Sequence, residues 1–384
     1  YSSYKFLGSD FYSSASIYVT GDIFVPLLML FKDISKGLMF ESILLIFISS
    51  FTFQYYLSTF GIKSNLNKMM ISIIYAFTGI ATLYYGNYMF HRFYAFLPLL
   101  FAGVEVYLQS KKYLLFSISV ALLFITSIYF MFPSTLYLVF YFIFAYFRLG
   151  NSFKALDFVT KASKLILYYL FGFLLSSIIS LPAILALLNN SRIGAPYDPF
   201  LTWDLKVSIG FVISHIAAPF ALFTDIPYMF ASGFNGHATW YSVYASSLSL
   251  SVFIYYFLFI KDKNKWYFSF LYLSTIFVLF FKPLNSIFHG FSEPTFRFVF
   301  LYIFVILLIT AYVIDNFKIR YIVKSYFIYL LLILICFLVL LRLGILNYQI
   351  YTHHINFIIL SLFIGLITSL LVKTRYIYLF IIVE

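Results

Sequence analysis

Along most of the chain, apolar residues run on long enough to cross a bilayer as a helix, which takes about 20 residues, before a polar cluster interrupts them. The runs neither alternate in steps of two, as membrane strands would, nor keep one polar stripe, as a surface helix would. About eleven spanning helices are predicted: residues 38–57, 69–90, 93–108, 113–131, 134–147, 165–188, 240–260, 266–281, 298–314, 325–341 and 355–372. The runs 93–108 and 134–147 are short, which predicts tilted helices or a kinked continuation through Pro133, since membrane helices tolerate proline. Two polar segments are long. Residues 1–37 enclose an apolar stretch, 23–31, that is too short to span and predicts an interfacial helix. Residues 189–239 enclose 211–223, with Gly210 before it and Pro219 within it, which predicts a half-length re-entrant or interfacial helix. The expected fold class is all-α: a polytopic transmembrane helical bundle forming one transmembrane domain over residues 1–384. No internal repeat supports an inverted-repeat transporter.

Composition narrows the classes. The chain is 63% hydrophobic and 10% charged, with a mean hydropathy of +0.98, against about 25% charged residues in a soluble domain. A soluble enzyme is excluded. The formal charge of +12 comes from Lys and Arg spread over short loops, so it does not form the basic stripe that nucleic acid requires. The one cysteine, Cys336, rules out an intrachain disulfide and a thiolate metal cluster. Both ends read as cut: the chain starts at Tyr1 without Met and stops at Glu384, directly after the apolar residues 376–383.

The basic residues also orient the helices. With residues 1–37 outside, the loops near Lys63, Lys111, Lys154, Lys263, Arg320 and Lys373 lie inside and hold most of the Lys and Arg, as the positive-inside bias demands. All the histidines then gather at the outer side, with the acids Asp10, Asp22, Asp33, Asp198, Asp204, Asp225 and Glu293. Groups able to trade protons near neutral pH are thereby concentrated on one membrane face.

Three outer clusters carry candidate chemistry. His91-Arg92 closes one helix and opens the next, and a guanidinium there suits a phosphate through its bidentate fork; the alternative is an arginine snorkelling to ordinary lipid. Arg192 follows Leu181-Pro182 and precedes Tyr197-Asp198 and Trp203-Asp204, as a phosphate ligand or as a surface ion pair of little consequence. The densest cluster runs from Lys282 to Arg297 and contains His289, Glu293 and Arg297 among turn-forming residues. Glu41 and Glu105 fall within spanning runs but near helix ends, where snorkelling accounts for them. The lone histidines lack the spacing of a metal site, and His353-His354, being adjacent, point apart on a helix. A divalent ion held by carboxylates remains compatible with the composition.

The order of these features resembles the YfhO-like family of bacterial polytopic membrane proteins, which shares the architecture of C-type (GT-C) glycosyltransferases. The resemblance rests on Gly8 with Phe11-Tyr12, His91-Arg92 with Leu97-Pro98-Leu99-Leu100 and Gly103-Val104-Glu105, Leu181-Pro182 with Ser191-Arg192, and Pro283-Leu284-Asn285 with His289-Gly290-Phe291 and Pro294-Thr295-Phe296-Arg297-Phe298. It runs in order over roughly residues 1–315. It implies transfer of a sugar from a polyprenyl-phosphate-linked donor to a cell-surface glycopolymer such as teichoic acid, on the outer face of the cell membrane. A first-loop carboxylate usually serves such enzymes as base or metal ligand. The chain opens inside that loop, so the first helix and its early acidic motif are absent, and Asp10 and Asp22 are the acids left to act as the base. His91, Arg92, Arg192, His289, Glu293 and Arg297 are then expected at the donor phosphate and substrate. Two other classes fit the same composition: a transporter or flippase of a lipid-linked saccharide, betrayed by paired charges or broken helices at mid-depth, and a non-catalytic assembly subunit of the membrane.

The orientation is testable by labelling single cysteines in a chain whose Cys336 is replaced. Ser191 and Ser286 should react from outside, and Ser152 and Asn264 only after permeabilisation. Reaction of Asn264 in intact cells would overturn the charge assignment.

Overall fold

A computed structural model describes residues 23–79, 81, 88–150, 154–188, 247–289, 298–317 and 328. Among them the regular structure is helical: α1 (Val25–Leu28), α2 (Ile34–Phe60), α3 (Asn65–Ala76), α4 (Tyr88–Ser110), α5 (Leu114–Thr126), α6 (Ile128–Arg148), α7 (Ala155–Leu188), α8 (Ser247–Phe259), α9 (Lys265–Phe280), α10 (Lys282–Phe288) and α11 (Val299–Asn316). Five of these, α2, α4, α6, α7 and α11, contain stretches long and apolar enough to cross a membrane, and α5 and α9 are shorter apolar helices. The fold is the all-α, polytopic membrane class that the hydrophobic runs predict. The predicted spans 325–341 and 355–372 and the half-length helix in 189–239 lie outside the described residues.

Several boundaries differ from the sequence expectation, each for a local reason. The run 113–131 does not continue to Pro133 but breaks at Ser127, whose backbone is extended (φ −162°, ψ 110°) and whose hydroxyl caps α6 by accepting from the Phe130 amide. Pro133 and Pro98 therefore sit inside α6 and α4. Near Pro98, which cannot donate to the carbonyl of Tyr94, the neighbouring Ala95 carbonyl takes a bond from Thr52 Oγ1 at 2.6 Å, the kind of side-chain compensation that makes proline tolerable in lipid. The run 69–90 is interrupted too, because α3 stops at Ala76. The stretch 23–31, expected as an interfacial helix, contains only the single turn α1.

The described helices belong to two compact units. In the first, α4 packs along α2 and α5, and α5 packs along α7. The approach at α5 is close on both sides. A Cβ on Gly103 of α4 would lie 2.6 Å from the Phe116 Cα, and one on Gly172 of α7 would collide with the Ser117 carbonyl and the Val120 side chain. Small residues at such crossings let backbones meet where no hydrophobic effect drives association. In the same unit α2 turns Met39, Ile43, Phe47, Phe51 and Tyr55 outward and Glu41, Leu45, Ser49, Thr52 and Tyr56 inward. This is the reverse of a water-soluble helix and suits a hydrocarbon surround. Buried serines and threonines mostly bond carbonyls three or four residues back, as Ser49 does to Leu45 at 2.7 Å, which meets their polar groups within the helix; the hydroxyls of Ser134 and Ser249 are the exceptions among the described residues.

In the second unit α11 is buried from Val299 to Ala311 and packs against α3 and α8. Polar groups pin one end. Asp315 accepts from the Lys63 and Ser64 amides at 2.8 Å each, and Asn67 donates to the Ala311 carbonyl at 2.8 Å. Asp262 gathers the Tyr256 and Tyr312 hydroxyls at 2.8 and 3.0 Å.

Replacing Gly103 or Gly172 by alanine should cost about 1–3 kcal/mol, the usual penalty of overpacking, read as a lower unfolding temperature in detergent. Gly150→Ala, where a Cβ meets nothing within 4 Å but φ is +79°, separates backbone strain from crowding and should cost less. Equal losses at all three glycines would refute the close-packed crossing.

Candidate functional site at the His91 end of the first unit

The first turn of α4 carries His91 and Arg92, and both are buried, at 0% and 1% exposure. The guanidinium of Arg92 meets Glu41 of α2 through two contacts, Nε to Oε1 and Nη2 to Oε2, the second at 2.9 Å. Glu41 is itself fully buried. The expectation that Glu41 snorkels is therefore wrong: the carboxylate stays in the bundle and is compensated there by the forked guanidinium. Arg92 correspondingly does not offer its fork to a headgroup, and a phosphate would have to displace Glu41 to receive it. The Phe24 ring lies 5.7 Å from the guanidinium and belongs to a cluster with Leu45 and Ala95, which fastens the α1 segment to α2 and α4.

A second pair of charges lies at the opposite end of α4. Glu105, also fully buried, meets Arg148, the last residue of α6. The Tyr141 hydroxyl donates to Glu105 Oε1 at 2.9 Å and bonds the Tyr56 hydroxyl at 2.8 Å. Gln109 reaches Glu105 Oε2 at 3.3 Å and the Thr59 carbonyl at 2.9 Å. Arg148 lies over the Phe60 ring, 3.9 Å from its centroid. Glu105 does not snorkel either; it is the hub that joins α2, α4 and α6.

At the His91 end the break before α6 brings in another group. Tyr129, in the first turn of α6, shares a hydrogen bond of 2.8 Å between its hydroxyl and His289 Nε2, with the rings edge to face at 5.7 Å. Its neighbour Phe130 touches Phe90 and Phe93, on either side of His91-Arg92, at centroid distances of 4.9 and 5.5 Å. His289 caps the C-terminus of α10, its amide donating to the Asn285 and Ser286 carbonyls at 3.0 Å each, and its ring lies 6.2 Å from Phe298. The structure thus brings together, through Tyr129 and Phe130, two clusters that lie far apart in sequence. Ser286, expected to label from outside, is 2% exposed, and Ser191 lies outside the described residues.

Of the expected site residues, His91, Arg92 and His289 are described and lie in the first unit. Asp10, Asp22, Arg192, Glu293 and Arg297 lie outside the described residues. Sequence reasoning missed Tyr129, which falls within an apolar run. The legible signal was Ser127, a helix-capping residue type a few positions before Pro133.

A family model described as bacterial membrane protein YfhO matches residues 1–384. The chain belongs to the YfhO family. It is therefore a bacterial multi-pass membrane protein, as the apolar helices require. Comparison with curated proteins and with solved structures gave no match. For a YfhO-family protein the described site offers an imidazole fixed by a phenol at a helix end, walled by aromatic rings and braced by a buried ion pair.

Breaking that brace should be costly. Glu41→Gln leaves Arg92 buried without its anion and should destabilise by about 3–5 kcal/mol, whereas Glu41→Leu with Arg92→Met, which removes both charges, should recover most of the loss. Thermal unfolding of the two variants in detergent measures both. A fully stable Glu41→Gln protein would remove the brace from this description.

Proposed function

We propose that this YfhO-family protein transfers a sugar from a polyprenyl-phosphate-linked donor to a cell-surface glycopolymer at the outer face of the membrane. The observation that carries the reading is the convergence of the His91-Arg92 turn and His289 at one end of the first unit, through Tyr129 and Phe130. Such a reaction must occur where a long apolar tail stays in lipid while its phosphate and sugar reach water. A bundle with an apolar exterior and an aromatic-walled polar end suits both halves of the donor.

In this reading His289 and Arg297, one residue before Phe298, approach the donor phosphate, with Arg192 as the second guanidinium and Glu293 beside the acceptor. His91 and Arg92 act from within the wall, Arg92 through its pair with Glu41. As the bond from the anomeric carbon to phosphate breaks and the acceptor oxygen bonds to that carbon, the acceptor proton passes to a carboxylate, Asp10 or Asp22. The leaving phosphate keeps the electron pair and is stabilised by the cations around it.

One observation favours a second reading, a flippase for the lipid-linked saccharide. Paired charges inside the spanning helices are its expected signature, and both Glu41–Arg92 and Glu105–Arg148 are present. Arg92 and Glu105 are thirteen residues apart on α4, about 20 Å at the helical rise. The pairs therefore lie toward opposite ends of a helix rather than at a shared mid-depth site, and each is closed by its partner. That arrangement favours bracing over transport.

Purified full-length protein, a radiolabelled lipid-linked sugar and an acceptor polymer separate the readings. Asp10→Asn or Asp22→Asn should lower turnover by about 10²–10⁴-fold with donor binding retained. Arg192→Lys and Arg297→Lys should weaken donor binding by roughly tenfold or more, because a charged bidentate contact is lost. Parental transfer in both Asp variants would remove them from catalysis, and donor movement across vesicles without any transfer would establish the flippase instead.

A further inference from the structure

The opposite end of the first unit carries a polar cluster that sugar transfer does not use. The turn between α4 and α5, Lys111-Lys112-Tyr113, lies against the first half of α7. The Tyr113 ring stacks on Tyr168, centroids 4.3 Å apart and planes at 10°, and Tyr107 sets its ring edge to Tyr168 at 5.6 Å. The Tyr107 hydroxyl donates to the Lys161 carbonyl at 3.0 Å, and Ser117 donates to the Tyr168 carbonyl at 2.9 Å. Residues 161, 164 and 168 share one helical face by their spacing, so the face of α7 that meets the turn also carries Lys161 and Lys164.

Charge at this end is unbalanced. Arg148 is matched by Glu105, and Lys161 by Asp157 at 2.9 Å. Lys111, Lys112 and Lys164 are exposed and form no ion pair among the described residues. The hydroxyls of Tyr113 and Tyr168 likewise take no hydrogen-bond partner there. Lys111 holds a left-handed backbone, φ 61°, and its amide donates to the Tyr107 carbonyl at 2.8 Å, so the turn begins as the closure of α4. Immediately beyond it, Leu114 and Ile118 present apolar side chains outward at 59% and 50% exposure.

We propose that this turn binds the headgroup of an anionic phospholipid in the leaflet it faces. Lys112 and Lys164 meet the phosphodiester, Tyr113 and Tyr168 supply hydroxyl donors at the interface, and Leu114 and Ile118 meet the start of the acyl chains. Three uncompensated ammonium groups repel the terminal cation of a zwitterionic lipid, which makes the site selective for net negative charge. Free phosphate would satisfy the lysines but would leave the adjoining apolar surface uncovered. The Lys/Arg pattern assigns this end to the cytoplasmic leaflet.

The full chain, delipidated in detergent, can be titrated with phosphatidylglycerol, phosphatidylcholine or inorganic phosphate while bound lipid is counted by native mass spectrometry and unfolding temperature is followed. Phosphatidylglycerol should bind and stabilise, and the other two should not. Each lysine near an anionic surface contributes about fivefold, so Lys112→Gln with Lys164→Gln should weaken phosphatidylglycerol binding by about 25-fold. Tyr168→Phe, which keeps the ring stack, should weaken it by a smaller factor. Lys261→Gln with Lys263→Gln, two exposed lysines of the other unit, should leave it unchanged. Unaltered binding in the Lys112/Lys164 variant, an equal loss in the Lys261/Lys263 variant, or equal protection by inorganic phosphate would each overturn the proposal.

Discussion

Charge held inside an apolar surround is the constraint on which the first unit depends. The helix α4 carries a guanidinium near one end and a carboxylate near the other, and neither survives in hydrocarbon without an opposite charge. Glu41 from α2 meets the first and Arg148 from α6 meets the second. The two pairs fix α4 against two different helices at two different heights, so sliding or rotation of any one of them would strip a buried charge of its partner. Apolar packing alone has no such register, because one leucine surface against lipid is worth nearly what it is against another helix. The glycine crossings at Gly103 and Gly172 then set how closely α4, α5 and α7 approach.

That bracing explains why an aromatic-rich chain can keep a polar site rigid at a helix end. Phe24 covers Arg92, and Phe130 bridges the turn at Phe90–Phe93 to Tyr129. His289 arrives from a separate part of the chain and is held through its ring nitrogen by Tyr129. The residue that fixes the imidazole is thus carried by the break at Ser127, without which the run from residue 113 would continue as one straight helix.

Much of the fold was legible because hydrophobic length is a coarse and reliable signal. The spans at residues 38–57, 266–281 and 298–314 reappear as α2, α9 and α11 with small shifts at their ends. Less legible were the breaks: Pro98, Pro133 and Pro182 all lie inside helices, as the tolerance of proline in membrane helices allows, while an ordinary-looking serine ends one. Proline stops helices in water, where a freed carbonyl finds solvent and the chain turns away. In lipid the helix persists and a neighbour such as Thr52 supplies a nearby bond. The candidate site was half legible. His91, Arg92 and His289 stood out as polar groups in apolar text, but pairing is a three-dimensional fact. Glu41 and Glu105 read as surface-seeking acids because nothing in the linear order places Arg92 fifty-one residues from its partner or Arg148 forty-three from its own.

The two ends of α4 differ in how their polar groups are closed. Glu105 is encircled by Arg148, Tyr141 and Gln109, with Tyr56 continuing the chain of hydroxyls. All its partners come from within helices, so the network ties scaffold to scaffold. At the other end the pair Glu41–Arg92 is also internal, but the neighbouring Tyr129–His289 bond joins the scaffold to a short helix, α10, at the edge of a connecting segment. Binding groups are commonly carried on segments that connect elements and are positioned by a rigid frame. A shift of α10 would leave both buried charge pairs closed, whereas any movement at Glu105 must break one. The Glu105 hub therefore ties the frame together, and the end with His289 is the one at which the proposed sugar transfer would place its donor.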